Sequence, residues 1–443
     1  MKKPNITPQK LHQVTALFDK CFPYYISAIL ILAFVVIAII ALNSPDTLHP
    51  DEQQTKPAIL YYTNHNLPPD VRDLDISFFS GYGMTRLWEL NLYYFFAGKA
   101  AAFIPITFNF RLFSVFLALI LVIIGIKNVR KNLPLTLAFC LTPQLWYLFS
   151  YSTSDAFDFF LSFLCLQQLL QEDSCLNKAL HSKKEKATWI HFLLPGILFG
   201  LLLMSKKNFY LIPLWIFFCL LYRIIFAPKS EQKSLLCRCL ILLGIACFVL
   251  LLRVSLDLPI YGLEKSQIVD QVIEKNSLYE YKPSTPVADR APSVTLCEKG
   301  VSLLTMLTKM NFHTLLFESF SGLYGCYSVG TNGFYYLLYG ILLAALLCVI
   351  GYSIFKKGTK AQRLTYITCL LLELLSYGLV IYNAYVIDFQ PQGRYLFPAL
   401  IIAVYTSSLC KELSTSKIFL LLAGGLSTLS LLSFLLIALP GLL

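Results

Sequence analysis

The chain has 443 residues, 57% hydrophobic and 14% charged, and its 36 Lys and Arg against 25 Asp and Glu give a formal net charge of +11. Soluble domains carry about 25% charged residues, and apolar runs of about 15–24 residues recur here from end to end, continuous rather than alternating, which excludes both a soluble enzyme and a β-barrel. The positive charge would point to nucleic acid in a soluble protein, but here it sits in short clusters between apolar runs and sets orientation in the membrane.

The expected fold is all-α: a polytopic transmembrane helical protein, one membrane domain over residues 1–443, with about eleven spans. MKKPNITPQK, with Lys2, Lys3 and Lys10, and then Lys20 precede the first span at 24–42 and are expected on the cytoplasmic side. That run is long and no small-residue cleavage site follows it, so no cleavable signal peptide is expected. Residues 43–111 then form a first outer loop containing Asp46, Asp51, Glu52, Asp70, Asp73 and Asp75.

Within that loop, a crossing at 91–106 would bury Lys99 in mid-membrane at about 2.5–3.5 kcal/mol and place KNVRK (127–131) outside. Residues 89–106 therefore read as a juxtamembrane interfacial helix, and 112–126 as the second span. Further spans are expected at 133–149, 156–171, 189–204, 209–226 and 239–256. The loops 172–188 (Lys178, Lys183, Lys184, Lys186) and 227–238 (Lys229, Lys233, Arg238) fall inside. Residues 257–332 make a second large outer loop, which the sequence leaves open as a cap or a mobile segment, ending in an interfacial or re-entrant stretch at 314–332. Spans at 333–355, 364–386, 395–410 and 418–440 follow, with KKGTKAQR (356–363) and KELSTSK (411–417) inside. Cysteines such as Cys140, Cys165 and Cys369 read as small hydrophobes, and Cys237 and Cys239 lack the companions of a zinc site.

This topology places four polar stretches at span ends on the outer face: HPDE (49–52), YSTSD (151–155), SKKNFY (205–210) and DFQPQGRY (388–395). Each alone reads as a solvated loop tip; together they read as one external site at membrane level. Lys206 and Lys207 stand against the positive-inside bias, either as snorkelling side chains or as ligands for an anion. Arg394 offers a planar fork for phosphate or carboxylate, flanked by Gln392, Gly393 and Tyr395, and glycine there allows close backbone approach. Outer-face cations at headgroup depth suit a lipid phosphate or pyrophosphate. Asp51 and Glu52, beside His49, offer a general base, or oxygen ligands for a divalent cation. Asp155 reads first as a cap of the following helix.

With HPDE after the first span, NFRLFS (109–114), STSD (152–155), SKKNFYLIP (205–213) and PQGRYLFP (391–398), the chain resembles the C-type glycosyltransferase superfamily of multi-spanning enzymes over nearly its whole length. It is most similar to an uncharacterised bacterial branch with early P-D-E and late Q-G-R-Y motifs, related to protein O-mannosyltransferases. The resemblance implies polyprenyl-phosphate-linked sugar donors, an active site outside the plasma membrane, Asp51 as the base and Lys206 as a donor-phosphate contact. QQTK follows the acidic pair where relatives often carry a histidine, which speaks against a metal cofactor.

The function expected from these residues is transfer of a sugar from a polyprenyl-phosphate donor to an external glycan, lipid or protein. Asp51 is the expected base, with Glu52 second, and Lys206, Lys207, Arg394 and Tyr395 bind the departing phosphate. The rival is a lipid-linked glycan transporter or flippase, which would need a polar pathway through spans that carry few acids beyond Glu373. A relative that only scaffolds an envelope complex is the third reading.

Overall fold

The computed structural model describes residues 8–103, 109–180 and 188–443. Lys2, Lys3, the end of the expected interfacial helix at 104–106, and Lys183, Lys184 and Lys186 lie outside the described residues.

The protein is almost wholly helical. After α1 (Pro8–Asn43) come α2 (Glu52–Asn64), α3 (Leu92–Phe103), α4 (Leu112–Asn128), α5 (Leu133–Leu137), α6 (Pro143–Leu148), α7 (Ser154–Leu170) and α8 (Cys175–Leu180). Next are α9 (Trp189–Leu203), α10 (Leu211–Ile225) and α11 (Lys229–Ser255). The second large loop contains α12 (Leu258–Tyr261), α13 (Lys265–Asn276), α14 (Leu303–Lys309), α15 (Phe312–Ser321) and a hairpin of β1 (Leu323–Tyr324) with β2 (Val329–Gly330). Helices α16 (Gly333–Lys357), α17 (Lys360–Tyr382), α18 (Phe397–Ser408), α19 (Lys417–Ser433) and α20 (Leu439–Leu442) follow.

Among the described residues, six helical stretches are long and apolar enough to cross a membrane: Lys20–Asn43, Lys207–Ile225, Lys229–Tyr261, Gly333–Lys357, Lys360–Ile387 and Lys417–Leu442. Helices α4 and α9 are apolar but shorter. The remaining three expected spans are the most enclosed parts of the molecule. Residues 133–149 are not one helix but two, because Pro143 has no N–H to continue a ladder and Thr142 caps the new start. Backbone carbonyls freed by such a break need partners. The Phe139 carbonyl accepts from Trp146 Nε1 at 2.6 Å, and that of Leu141 accepts from the Tyr339 hydroxyl at 2.7 Å and Ser430 Oγ at 3.0 Å. Helices α7 and α18 are buried along most of their length, with Asp155, Asp158 and Ser162 inside the first and Thr406 and Ser407 inside the second.

The first loop leaves and returns at one point. Asn109 Nδ2 donates to the Ala41 carbonyl at 2.9 Å, and Arg111 Nη1 and Nη2 donate to the carbonyls of Ser44 (2.7 Å) and Pro45 (3.0 Å). Between these ends α3 packs on α2, and Lys99 donates to the His65 carbonyl at 2.8 Å instead of entering an apolar core. The second loop is folded, not loose: Tyr261, Ile268 and Val272 pack on Val71 of the first loop, and Tyr82 pairs with Ser277.

Two buried side chains fix the segment carrying Asp51. Glu52 accepts a bidentate pair from Arg111, with Nε to Oε1 at 2.9 Å and Nη2 to Oε2 at 2.7 Å, and also accepts the Ser152 backbone N–H at 3.0 Å. His49 lies between Ser44 Oγ (2.7 Å from Nε2) and the Tyr147 hydroxyl (2.9 Å from Nδ1), stacked on Tyr151. Ser44 Oγ donates to the Ile40 carbonyl, so Nε2 carries the imidazole proton and Nδ1 accepts from Tyr147, whose oxygen in turn accepts the Gly325 N–H. Burial, reinforced by the nearby Arg111 charge, pushes the His49 pKa down to about 3.

Two outcomes are expected. Arg111→Met strands a buried carboxylate and costs about 3–5 kcal/mol, measured by thermal unfolding in detergent, while Glu52→Gln with Arg111→Met recovers part of that loss. A buried pair that matters little would leave the single variant unchanged. His49 has a folded pKa below its unfolded value of about 6.5, so its contribution is complete above that pH and is lost as pH falls from 6.5 toward 3. The unfolding midpoint should therefore drop from pH 7 to pH 5, with a slope that flattens in His49→Gln. An unaltered slope would place the titration elsewhere.

Candidate active site

Asp51 precedes α2 with a left-handed backbone, φ 63°, and makes no capping bond to that helix. Consecutive acids thus point apart: Glu52 toward Arg111, Asp51 toward Arg86 and Arg394. Arg86 Nη2 is 3.2 Å from Asp51 Oδ1, and Arg394 Nη2 donates to Oδ2 at 3.2 Å. The other guanidinium nitrogen of Arg394, Nη1, is 3.3 Å from Asp155 Oδ2, and Lys206 Nζ is 2.7 Å from Asp155 Oδ1. Residues from all four polar stretches, far apart in sequence, therefore meet in one continuous chain of ion pairs.

Thr153, not Asp155, caps α7: its hydroxyl accepts the Asp155 N–H at 3.3 Å. That corrects the reading of Asp155 as the cap and leaves its buried carboxylate for Lys206 and Arg394. One helical turn on, Asp158 accepts the Lys206 backbone N–H at 3.2 Å and helps hold the lysine turn. Lys207, expected beside Lys206, is exposed and outside the cluster. Arg86 takes the third cationic position instead.

The DFQPQGRY stretch orients Arg394. Arg394 Nε donates to Gln392 Oε1 at 2.5 Å, Gln392 Nε2 to Gln390 Oε1 at 3.1 Å, and Gln390 Nε2 to Asp388 Oδ2 at 2.5 Å. Tyr82 of the first loop also donates to Asp388 Oδ2 at 2.8 Å. Every link in this relay runs in one direction and ends on a carboxylate, so the links polarise one another. Gly393 lies directly on α15: its N–H donates to Ser319 Oγ at 2.8 Å, and a Cβ there would sit 2.1 Å from the Phe320 nitrogen. Only glycine fits. Tyr395 turns away into an apolar cluster with Phe389 and Val380, its ring centroid 5.9 Å from the guanidinium.

Beside Arg394 is a cavity of about 110 Å³ walled by Tyr147, Tyr151, Tyr324, Tyr327 and Gln392, with Pro50 at its edge. Cys326 and Tyr327 at the hairpin tip, like Asp51, have positive φ (51° and 67°). Cys326 and Tyr327 line this cavity, and Asp51 follows Pro50 at its edge. Burial raises the Asp51 pKa, but Arg394, Arg86 and Lys206 outweigh it and hold the carboxyl at about 2.

Among the described residues no group of His, Cys, Asp and Glu is placed to hold a metal ion. All four oxygens of Asp51 and Asp155 already face cations, so this donor set does not fit a divalent ion.

Arg86, Asp158 and the Asp388–Gln390 relay escape the sequence reading. Arg86 follows SGYG, which reads as a turn, yet it lies in the loop expected on the outer face and is another cation against the positive-inside bias there. Asp158 is three residues from Asp155, on one face of the same helix, so the expectation that spans carry few acids beyond Glu373 overlooks it.

No curated protein matches the chain. One family does, over residues 91–403, a stretch that carries Asp155, Lys206 and Arg394 and begins after Asp51 and Arg86. It covers well over half of the chain, which therefore belongs to the membrane protein family described as "Predicted membrane protein (DUF2142)".

Proposed function

We propose that this protein is a glycosyltransferase of the bacterial plasma membrane. It moves a sugar from a polyprenyl-phosphate donor to a hydroxyl of an external glycan, lipid or protein, with inversion at the anomeric carbon. The observation that carries this reading is the Asp51–Arg394–Asp155–Lys206 chain, with Arg86 on the free side of Asp51. Three cations meet Asp51 and Asp155 in that chain, beside a small tyrosine-lined cavity. That is the combination a site needs when its ligand brings a phosphate and its reaction needs a base.

In the proposed step the acceptor oxygen attacks the anomeric carbon and its proton passes to the Asp51 carboxylate. The bond from that carbon to the phosphate oxygen breaks, and the lipid phosphate leaves with the electron pair. Arg394, Lys206 and Arg86 stabilise the charge that develops on it. An Asp held at about 2 by two arginines is a weak base. A donor phosphate engages the same guanidinium groups, draws them from Asp51 and raises its proton affinity when the acceptor is bound. Glu52 does not share this role, because Arg111 occupies both its oxygens.

The lipid chain has a place to go. A largely apolar groove of about 350 Å³ is lined by Phe320, Leu343, Leu347, Leu396 and Leu400, with Glu373 and His313 also on its wall, and Leu396 is two residues from Arg394 in the chain. Such a groove accepts part of an isoprenoid while the phosphate stays at the cations.

Asp51→Asn is the decisive variant, since asparagine also adopts the left-handed backbone. Transfer of radiolabelled sugar from its polyprenyl phosphate should fall about 100-fold or more while donor binding persists. Full transfer would remove Asp51 from the base role. Arg394→Gln should instead lose donor binding, and undiminished binding in both Arg394→Gln and Lys206→Gln would sink the phosphate assignment.

A further inference from the structure

A second cationic site lies at the opposite helix ends. Arg223 is in the last turn of α10, Arg238 in the second to third turn of α11, and both line a cavity of about 990 Å³ that reaches the start of α17. Arg223 donates from Nη1 to Asn177 Oδ1 at 2.6 Å and from Nη2 to the Leu169 carbonyl at 2.9 Å. Arg238 donates from Nη1 to the Ala179 and Leu180 carbonyls at 3.0 and 3.2 Å. These acceptors sit at or near the C-terminal ends of α7 and α8, where arginine is a suitable cap.

Capping accounts for those bonds but not for the charge. Among the described residues no carboxylate lies within ion-pair distance of either guanidinium; the acids on the same wall are Glu172, 3.8 Å from Lys411 with both side chains nearly fully exposed, and Glu231. Each arginine keeps further N–H donors beyond the bonds named above. The cavity combines these cations with apolar walls at Leu169, Cys219, Tyr222 and Leu235, and Phe226, half exposed, stands at its edge. Arg223 is in the last turn of α10, at one end of the apolar stretch Lys207–Ile225 that is long enough to cross a membrane, and span ends are where lipid headgroups lie. Cations at that depth above apolar walls match a molecule with an anionic head and hydrocarbon tails.

We propose that this cavity binds the phosphate headgroup of an anionic membrane lipid, with Arg223 and Arg238 as its ligands. It is separate from the Asp51 cluster: the cavity beside Arg394 and this one share no lining residue, and α18 runs from beside Arg394 to Tyr405 and Ser408 at the cavity wall, with buried Trp215 packed on Tyr405 at 4.3 Å.

Native mass spectrometry of the full chain released from nanodiscs tests this, with phosphatidylglycerol and phosphatidylcholine as probes. The wild type should retain phosphatidylglycerol over phosphatidylcholine. The Arg223→Gln, Arg238→Gln double variant should retain roughly 10- to 30-fold less. Arg238→Gln alone, whose side chain is partly exposed, gives a milder loss in a chain that keeps its Arg223 bonds, and Arg238→Lys restores part of it. Excess inorganic phosphate distinguishes the source: failure to displace the lipid assigns the site to the lipid, and displacement supports the same phosphate ligands with a soluble anion. Equal retention by wild type and both glutamine variants, or equal retention of the two lipids by the wild type, overturns the proposal.

Discussion

Arg111 donates to Glu52, Ala41, Ser44 and Pro45 at once, through every nitrogen of its guanidinium. That convergence joins the end of α1, the start of α2 and the start of α4 at one buried point. A loop of more than sixty residues has a large ensemble of open conformations, and the closure cost grows only slowly with length once its ends are pinned. Pinning is what this arginine supplies. Glu52, fixed in both oxygens, sets the residue before it: with Glu52 turned inward and the backbone left-handed at Asp51, the Asp51 side chain points away from α2 and toward Arg394. The candidate base is aimed by its neighbour and then held by its own ion pairs to Arg86 and Arg394.

The cluster itself is built on shared charges. Arg394 serves both carboxylates, and Asp155 serves both Arg394 and Lys206. An isolated buried ion pays a desolvation penalty of several kcal/mol, and a single pair recovers it only with near-ideal geometry. A chain of alternating charges spreads the recovery over several contacts, and the Gln392–Gln390–Asp388 relay adds a further anchor. The first loop and the ion-pair cluster are thereby coupled, because Tyr82 of that loop donates to Asp388 and a string of hydrogen bonds runs from Asp388 to Arg394.

Hydropathy made the lipid-facing helices legible, because a residue run that meets hydrocarbon on one side must be apolar and long. That Lys99 would stay out of an apolar core was legible from the cost of burying it, and its amine donates to the His65 carbonyl. HPDE, STSD, SKKN and QGRY were legible as a group from their common face. Pair assignments were not. Nothing in the string Asp51-Glu52 distinguishes an ion-paired anchor from a candidate base, since that depends on a φ of 63° and on where Arg111 returns. Lys206 and Lys207 are equally basic in sequence, and only the position of α7 selects the first. Arg86 and Asp158 were missed because their partners lie in other segments; a systematic search for charges placed against the orientation bias would have found Arg86.

The division between lipid-facing and enclosed segments has a functional logic. A helix against hydrocarbon can carry no broken ladder and few ionisable groups without a large penalty. Segments 133–149, α7 and the 388–408 stretch are surrounded by protein, so they tolerate a proline break, two buried aspartates and a bare glycine contact. Those are the features that bring Tyr147, Asp155 and Arg394 to one place. The break between α5 and α6 illustrates the exchange. It gives up continuous helix, and Tyr339, Ser430 and Trp146 supply the bonds that the carbonyls lost. In return the second short helix ends with the Tyr147 hydroxyl on His49 Nδ1, and the residues just beyond it stack Tyr151 on the His49 ring and set Ser152 against Glu52. The apolar peripheral helices thus insulate a polar, irregular centre from hydrocarbon.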